Sequence, residues 1–84
     1  MVFPAVDPKA TGIKIRMMMD KNKMSVRDMA AAFDGLVSVQ GIYKWLNGVS
    51  MPTIDNLVIM AALFDVRIDD ILVVVKPGDV KKSA

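Results

Sequence analysis

Cysteine, histidine and glutamate are all missing from the 84 residues, so every one of the nine acids is aspartate. Each absence removes a class of function. Without cysteine there is no disulfide, and without cysteine and histidine a structural zinc site has lost its usual ligands. No metal and no cofactor are expected. The general bases, activated thiols and paired carboxylates of most active sites shrink to Asp, Lys, Ser and Tyr. No polar cluster at catalytic spacing remains, which argues against an enzyme. Long apolar runs are missing too. The longest uncharged run, Trp45 to Ile54, contains Asn47, Gly48 and Pro52 and falls short of the ~18 residues a membrane span needs. The first residues, Met1 to Asp7, lack the basic start and apolar core of a signal peptide, so a soluble, cytoplasmic protein is expected.

What is present is apolar and unevenly charged. With 54% hydrophobic residues in so short a chain, a single domain spanning 1–84 is expected, near the size where one core becomes marginal. The net charge is only +2, but residues 9–48 hold seven bases (Lys9, Lys14, Arg16, Lys21, Lys23, Arg27, Lys44) against three acids (Asp20, Asp28, Asp34). Residues 49–84 hold four bases against five acids. A basic first half suits a polyanion, although the charges alone fit solvated helix faces equally well.

The punctuation divides the chain into short helices. Asp7-Pro8 pairs an N-cap with a proline at the first helical position and opens a helix to about Lys21. Its inner stripe is Thr11, Ile15, Met18 and Met19 at helical spacing, while Ile13 and Met17 fall on a second stripe. Asn22-Lys23 is a turn. Ser25 with Asp28 forms a short capping box, followed by a helix with Met29, Ala30 and Phe33 inside. Gly35 marks a turn over Asp34–Val37. Ser38 caps a third helix, Val39 to Leu46, with Ile42 and Trp45 inside, and Asn47-Gly48 ends it. Pro52-Thr53 opens a fourth, with Leu57, Met60, Ala61 and Phe64 as its periodic residues. Asp69 to about Val73 is expected as a last helical turn or two, although the β-branched Val73-Val74-Val75 fits an extended segment equally well. Residues 77–84, beginning with Pro77-Gly78, read as a flexible tail.

A capped helix with small residues, a short turn, and a second helix with Ile and Trp inside is the layout of a helix-turn-helix. The stretch "SVRDMAAAF", then "SVQGIYKWLNGVSMPTIDNLVIMAALFDVRIDDILV", resembles the Cro/repressor (XRE-type) helix-turn-helix family, particularly its short single-domain bacterial members. "IYKWLNG", "PTIDNL" and "IDDIL" are the specific blocks, and the resemblance covers roughly residues 8–75. It implies an all-α, lambda-repressor-like bundle of five helices, with short extended ends, and a transcriptional regulator, mostly a repressor, that binds double-stranded DNA as a homodimer. It also implies that the helix 38–46 reads the major groove through Val39, Gln40, Tyr43 and Lys44, with Gly41 near the groove floor. Phosphate contacts carry over to Ser25 and Arg27 at the start of the preceding helix, to Ser38, and to Asn47 and Ser50 after the reading helix.

The residue types suit those roles. A Gln amide pairs bidentately with an adenine edge, a Val methyl lies against a thymine methyl, and Lys reaches guanine or phosphate. Amide groups at a helix N-terminus attract anions. Three departures from the family pattern stand out. Met19 and Leu46 occupy places where many members carry an Arg–Glu ion pair, and an apolar pair replaces such a bridge without loss of stability. The turn 34–37 is one or two residues longer than the family's. Val26 stands where better-known repressors place a phosphate-binding Gln. Spare apolar residues, Ile13, Met17, Val2, Phe3 and Val73 to Val75, leave two options: pairing of the chain ends within one molecule, or a contact between two. The rival reading is a protein-interaction module, antitoxin-like or anti-repressor, whose protein partner would cover that apolar surface.

Overall fold

A computed structural model of the protein describes residues 3–75. The order is β1 (Ala5–Val6), α1 (Pro8–Lys21), α2 (Val26–Ala32), α3 (Val39–Leu46), α4 (Ile54–Phe64), α5 (Ile68–Ile71) and β2 (Val74–Val75). The fold is all-α in its core, five helices closed by a two-stranded antiparallel sheet that pairs Ala5 with Val75 and Val6 with Val74. The proposed tail at 77–84, and Val2, lie outside the described residues.

The caps explain where the helices begin. Asp7, Ser25, Ser38 and Thr53 each accept a hydrogen bond from the backbone N–H three residues on, at Ala10, Asp28, Gly41 and Asn56 respectively. Each satisfies one of the amides that a helix start leaves without a carbonyl. The ends turn through left-handed backbone, at Lys23 (φ 56°) after α1, Asp34 (φ 53°) and Gly35 (φ 81°) after α2, Gly48 (φ 72°) after α3, and Asp65 (φ 55°) after α4. At α1, α3 and α4 the next amide reaches back to a carbonyl five residues earlier: Met24 to Met19, Val49 to Lys44 and Val66 to Ala61. That pattern is the Schellman termination.

One core takes a stripe from every helix. Ile15 and Met19 of α1, Val26 and Met29 of α2, Ile42, Trp45 and Leu46 of α3, Leu57, Met60 and Phe64 of α4 and Ile71 of α5 are buried in it, with Phe33 at the end of α2. Met19 and Leu46 are thus both core residues, as the apolar replacement of an ion pair requires. Val26 is also core, only 5% exposed, so no phosphate contact comes from its side chain.

One expectation changes and one open choice is settled. The last helix starts one residue earlier and ends sooner than Asp69 to Val73: it runs Ile68–Ile71, and Leu72 is already extended. Asp70 accepts from the Arg67 N–H at 3.0 Å, which sets the start, and the β-branched valines then favour strand over helix. The two chain ends pair within the molecule. Asp7 N–H donates to the Val73 carbonyl at 2.8 Å, and the buried Thr11 hydroxyl accepts from Val73 N–H at 3.0 Å.

Candidate nucleic-acid interface

α3 carries two faces with different fates. Ile42 and Trp45 are inside, and Trp45 meets Phe33 edge-on at 5.7 Å between ring centroids and 67° between planes. This aromatic contact ties the end of α2 to α3 and sets how the two helices meet across their lengthened turn. On the opposite side Gln40, Tyr43, Lys44 and Asn47 are all exposed. Their spacing of three, four and seven residues from Gln40 puts them on one stripe of the helix. Val39 behaves differently. It is half-buried and packs against the core, so its methyls are partly committed before any base arrives.

α3 is held at its C-terminal end by α1. A Cβ at Gly12 would lie 2.4 Å from the Trp45 carbonyl oxygen and 2.6 Å from that of Leu46, so only glycine lets the two helices come this close. A Cβ at Gly48 would stand 2.7 Å from Lys9 Cα, and its positive φ would strain any other residue as well. The first turns of α1 therefore fix both the last turn of α3 and the loop after it. Sequence reasoning did not find Gly12, although a glycine in mid-helix is a signal of close packing.

The residues expected to hold phosphates are all on the surface. Ser25, Arg27, Ser38, Asn47 and Ser50 are exposed. Ser25 and Ser38 already work as caps, so their hydroxyl oxygens accept from the Asp28 and Gly41 amides, and Ser38 keeps its hydroxyl proton to donate. The Ser25 N–H donates to the Asp28 carboxylate at 2.9 Å. That bond, with the Ser25 hydroxyl adding to it, holds the Asp28 carboxyl below its ordinary value. The amides of the loop after α3 are committed too: Asn47 donates to Tyr43, Gly48 to Trp45, and Val49 and Ser50 both to Lys44. Any anion contact from residues 47–50 must therefore come from the Asn47 and Ser50 side chains.

A helix with a locked inner face, an exposed polar stripe, and a capped helix preceding it across a turn is a helix-turn-helix by geometry. The helix-turn-helix family model matches residues 15–71, more than half of the chain. The chain belongs to the helix-turn-helix family. Its type is that of the Cro/repressor, or XRE, proteins, and family and fold are those of DNA-binding regulators. A comparison with curated proteins found no match. Among solved structures, this helix-turn-helix protein resembles the crystal structure of the DNA-binding domain of BldD, with a TM-score of 0.69 and 18% identity. That match covers 80% of this chain and 94% of the other. The S. venezulae BldD DNA-binding domain fits equally, at TM-score 0.69 and 18% identity, over 80% of this chain and 97% of the other. At such identity the likeness establishes the shared fold. No helix among the described residues is long and apolar enough to cross a membrane.

Proposed function

We propose that this protein is a cytoplasmic, sequence-specific DNA-binding transcriptional regulator, acting as a repressor, with α3 inserted in the major groove. The observation that carries this reading is the stripe Gln40, Tyr43, Lys44 and Asn47, exposed on a helix whose other face is locked by Trp45 and Gly12. Gln40 and Lys44 read base edges, Tyr43 offers its hydroxyl, and Val39 adds a methyl contact at the margin of the stripe. Ser25, Arg27, Ser38, Asn47 and Ser50 set the register on phosphates, which orient the protein without reading sequence. Residues 8–75 form the DNA-binding core of a single domain. The solved neighbours are named as DNA-binding domains, which supports the same reading.

One module of this size buries too little surface for operator-level affinity. The functional unit is therefore a homodimer on two half-sites about one helical turn apart. The test is fluorescence anisotropy of a labelled mixed-sequence duplex at several salt concentrations, with Gln40→Ala and Lys44→Ala beside wild type. Affinity should fall steeply with salt, and Lys44→Ala should bind more weakly at every salt. Absence of binding even at low salt would overturn the reading in favour of a protein-interaction module.

A further inference from the structure

Ile13 and Met17 make up the second apolar stripe of α1, and the pairing of the chain ends leaves both exposed. Met17 borders a cleft of about 370 Å³. One wall is α1, through Lys14, Met17, Met18 and Lys21. Their spacing of three, four and seven residues from Lys14 puts them on one stripe of the helix. The other wall is the end of α4 and the connector after it, through Phe64 and Val66. Gly12, which holds α3, lies about half a turn round α1 from this stripe. The cleft therefore stands apart from α3.

We propose that this cleft binds a small amphipathic carboxylate. Its alkyl chain lies on Met17, Met18, Phe64 and Val66, and its carboxylate is held by Lys14 and Lys21. The site goes beyond the function proposed above and does not rest on it.

The lining selects that chemistry. Its floor is apolar, and the two methionines can refit around an irregular chain. The charged groups of the lining are both cations, and no acid joins them; Asp20 and Asp65 are neighbours in sequence but not part of the lining. Lys14 is half-buried, so its stem lies against the fold while its ammonium stays at the rim. The negative end of α1 offers little opposition to an anion. Its last carbonyls, Met18, Met19 and Asp20, accept from the Asn22, Lys23 and Met24 amides, and the Asn22 side chain donates to the Met18 carbonyl as well, at 2.7 Å. An inorganic anion would leave the apolar floor bare. A cationic amphiphile would cover the floor and meet two like charges. The volume falls at the low end of the range for small-molecule sites.

The methionines report occupancy directly. Decanoate, kept below its micellar range, is titrated into wild-type protein whose methionine methyls carry carbon-13. The Met17 and Met18 methyls should shift and saturate, while those of Met29 and Met60, fully buried in the core, stay in place. Acetate has the charge without the chain, and decyltrimethylammonium has the chain with the opposite charge. Each should bind at least about tenfold more weakly than decanoate. Lys14→Gln combined with Lys21→Gln, two positions outside the core, should weaken decanoate about five- to tenfold with helical content unchanged by circular dichroism. Equal binding of acetate or decyltrimethylammonium would overturn the site. So would an unchanged affinity in the double variant, or the lack of a saturable shift confined to Met17 and Met18. The titrations contain no DNA, so failure here leaves the reading of α3 untouched, and failure of that reading leaves the cleft untouched.

Discussion

Glycine in mid-helix is about 1 kcal/mol less favourable than alanine, yet alanine has no room at position 12. Its methyl would stand 2.4 Å from a backbone oxygen that cannot swing away. Gly12→Ala should therefore destabilise the fold by about 1–3 kcal/mol in a urea titration, the opposite of the helix-propensity expectation. Lys23 gives the reverse sign. It is a non-glycine residue held at φ 56°, which costs an L-residue roughly 1–2 kcal/mol. Lys23→Gly should raise the melting temperature, by about 4–8 °C for each kcal/mol gained. Thr11→Val leaves the Val73 amide without its partner and should cost about 1–3 kcal/mol. These residues show where sequence reading stopped. The partners of Gly12 and Thr11 lie far along the chain, and no local pattern names them. Trp45 and Ile42 were legible because helical spacing alone assigns them inward.

Helix starts were the most legible elements. Asp7, Ser25, Ser38 and Thr53 are small oxygen-bearing residues before apolar periodicity, and each accepts the third amide. Ser38→Ala should lower stability by about 1 kcal/mol through loss of the α3 cap, so its DNA binding must be compared at matched folded fraction. The α2 cap responds to pH. The carboxyl of Asp28 titrates below its ordinary value because the Ser25 amide bonds the ionised form. Its contribution is thus fully present above the unfolded value of about 3.9 and is lost as pH falls through the lower folded value. Asp28→Asn should melt earlier than wild type near neutrality and converge with it in acid. α5 was harder to read, because Arg67 is not a residue type that caps with its side chain and the start depends on Asp70 reaching back. The exposed stripe of α3 was legible at Gln40, Tyr43 and Lys44. Val39 was not, since a residue at the margin of a stripe is assigned by its neighbours in space.

Among the described residues the charge is uneven along the chain, as composition suggested. The segment from α1 to α3 carries seven bases and three acids, while Asp55, Asp65, Asp69 and Asp70, with Arg67, lie exposed on or beside α4 and α5. For DNA binding by that basic segment, log affinity should fall against log salt with a slope near −0.9 per phosphate neutralised. If Lys44 neutralises a phosphate, Lys44→Ala should reduce that slope by about one. The exposure of Val58 on α4 was not legible, because in an unbroken apolar run periodicity cannot say which residues the core will take. The sheet that closes the fold carries a kinetic consequence. It joins Ala5 to Val75, and a contact so distant in sequence carries a loop-closure penalty that two short strands barely offset. Within the bundle the helices are supported by nearer neighbours, so this clasp should be the last part to form and the first to open. In deuterated water the amides of Asp7 and Val73 should exchange well ahead of those of Ile42 and Met60, and the protein should breathe from its ends while α3 stays in place.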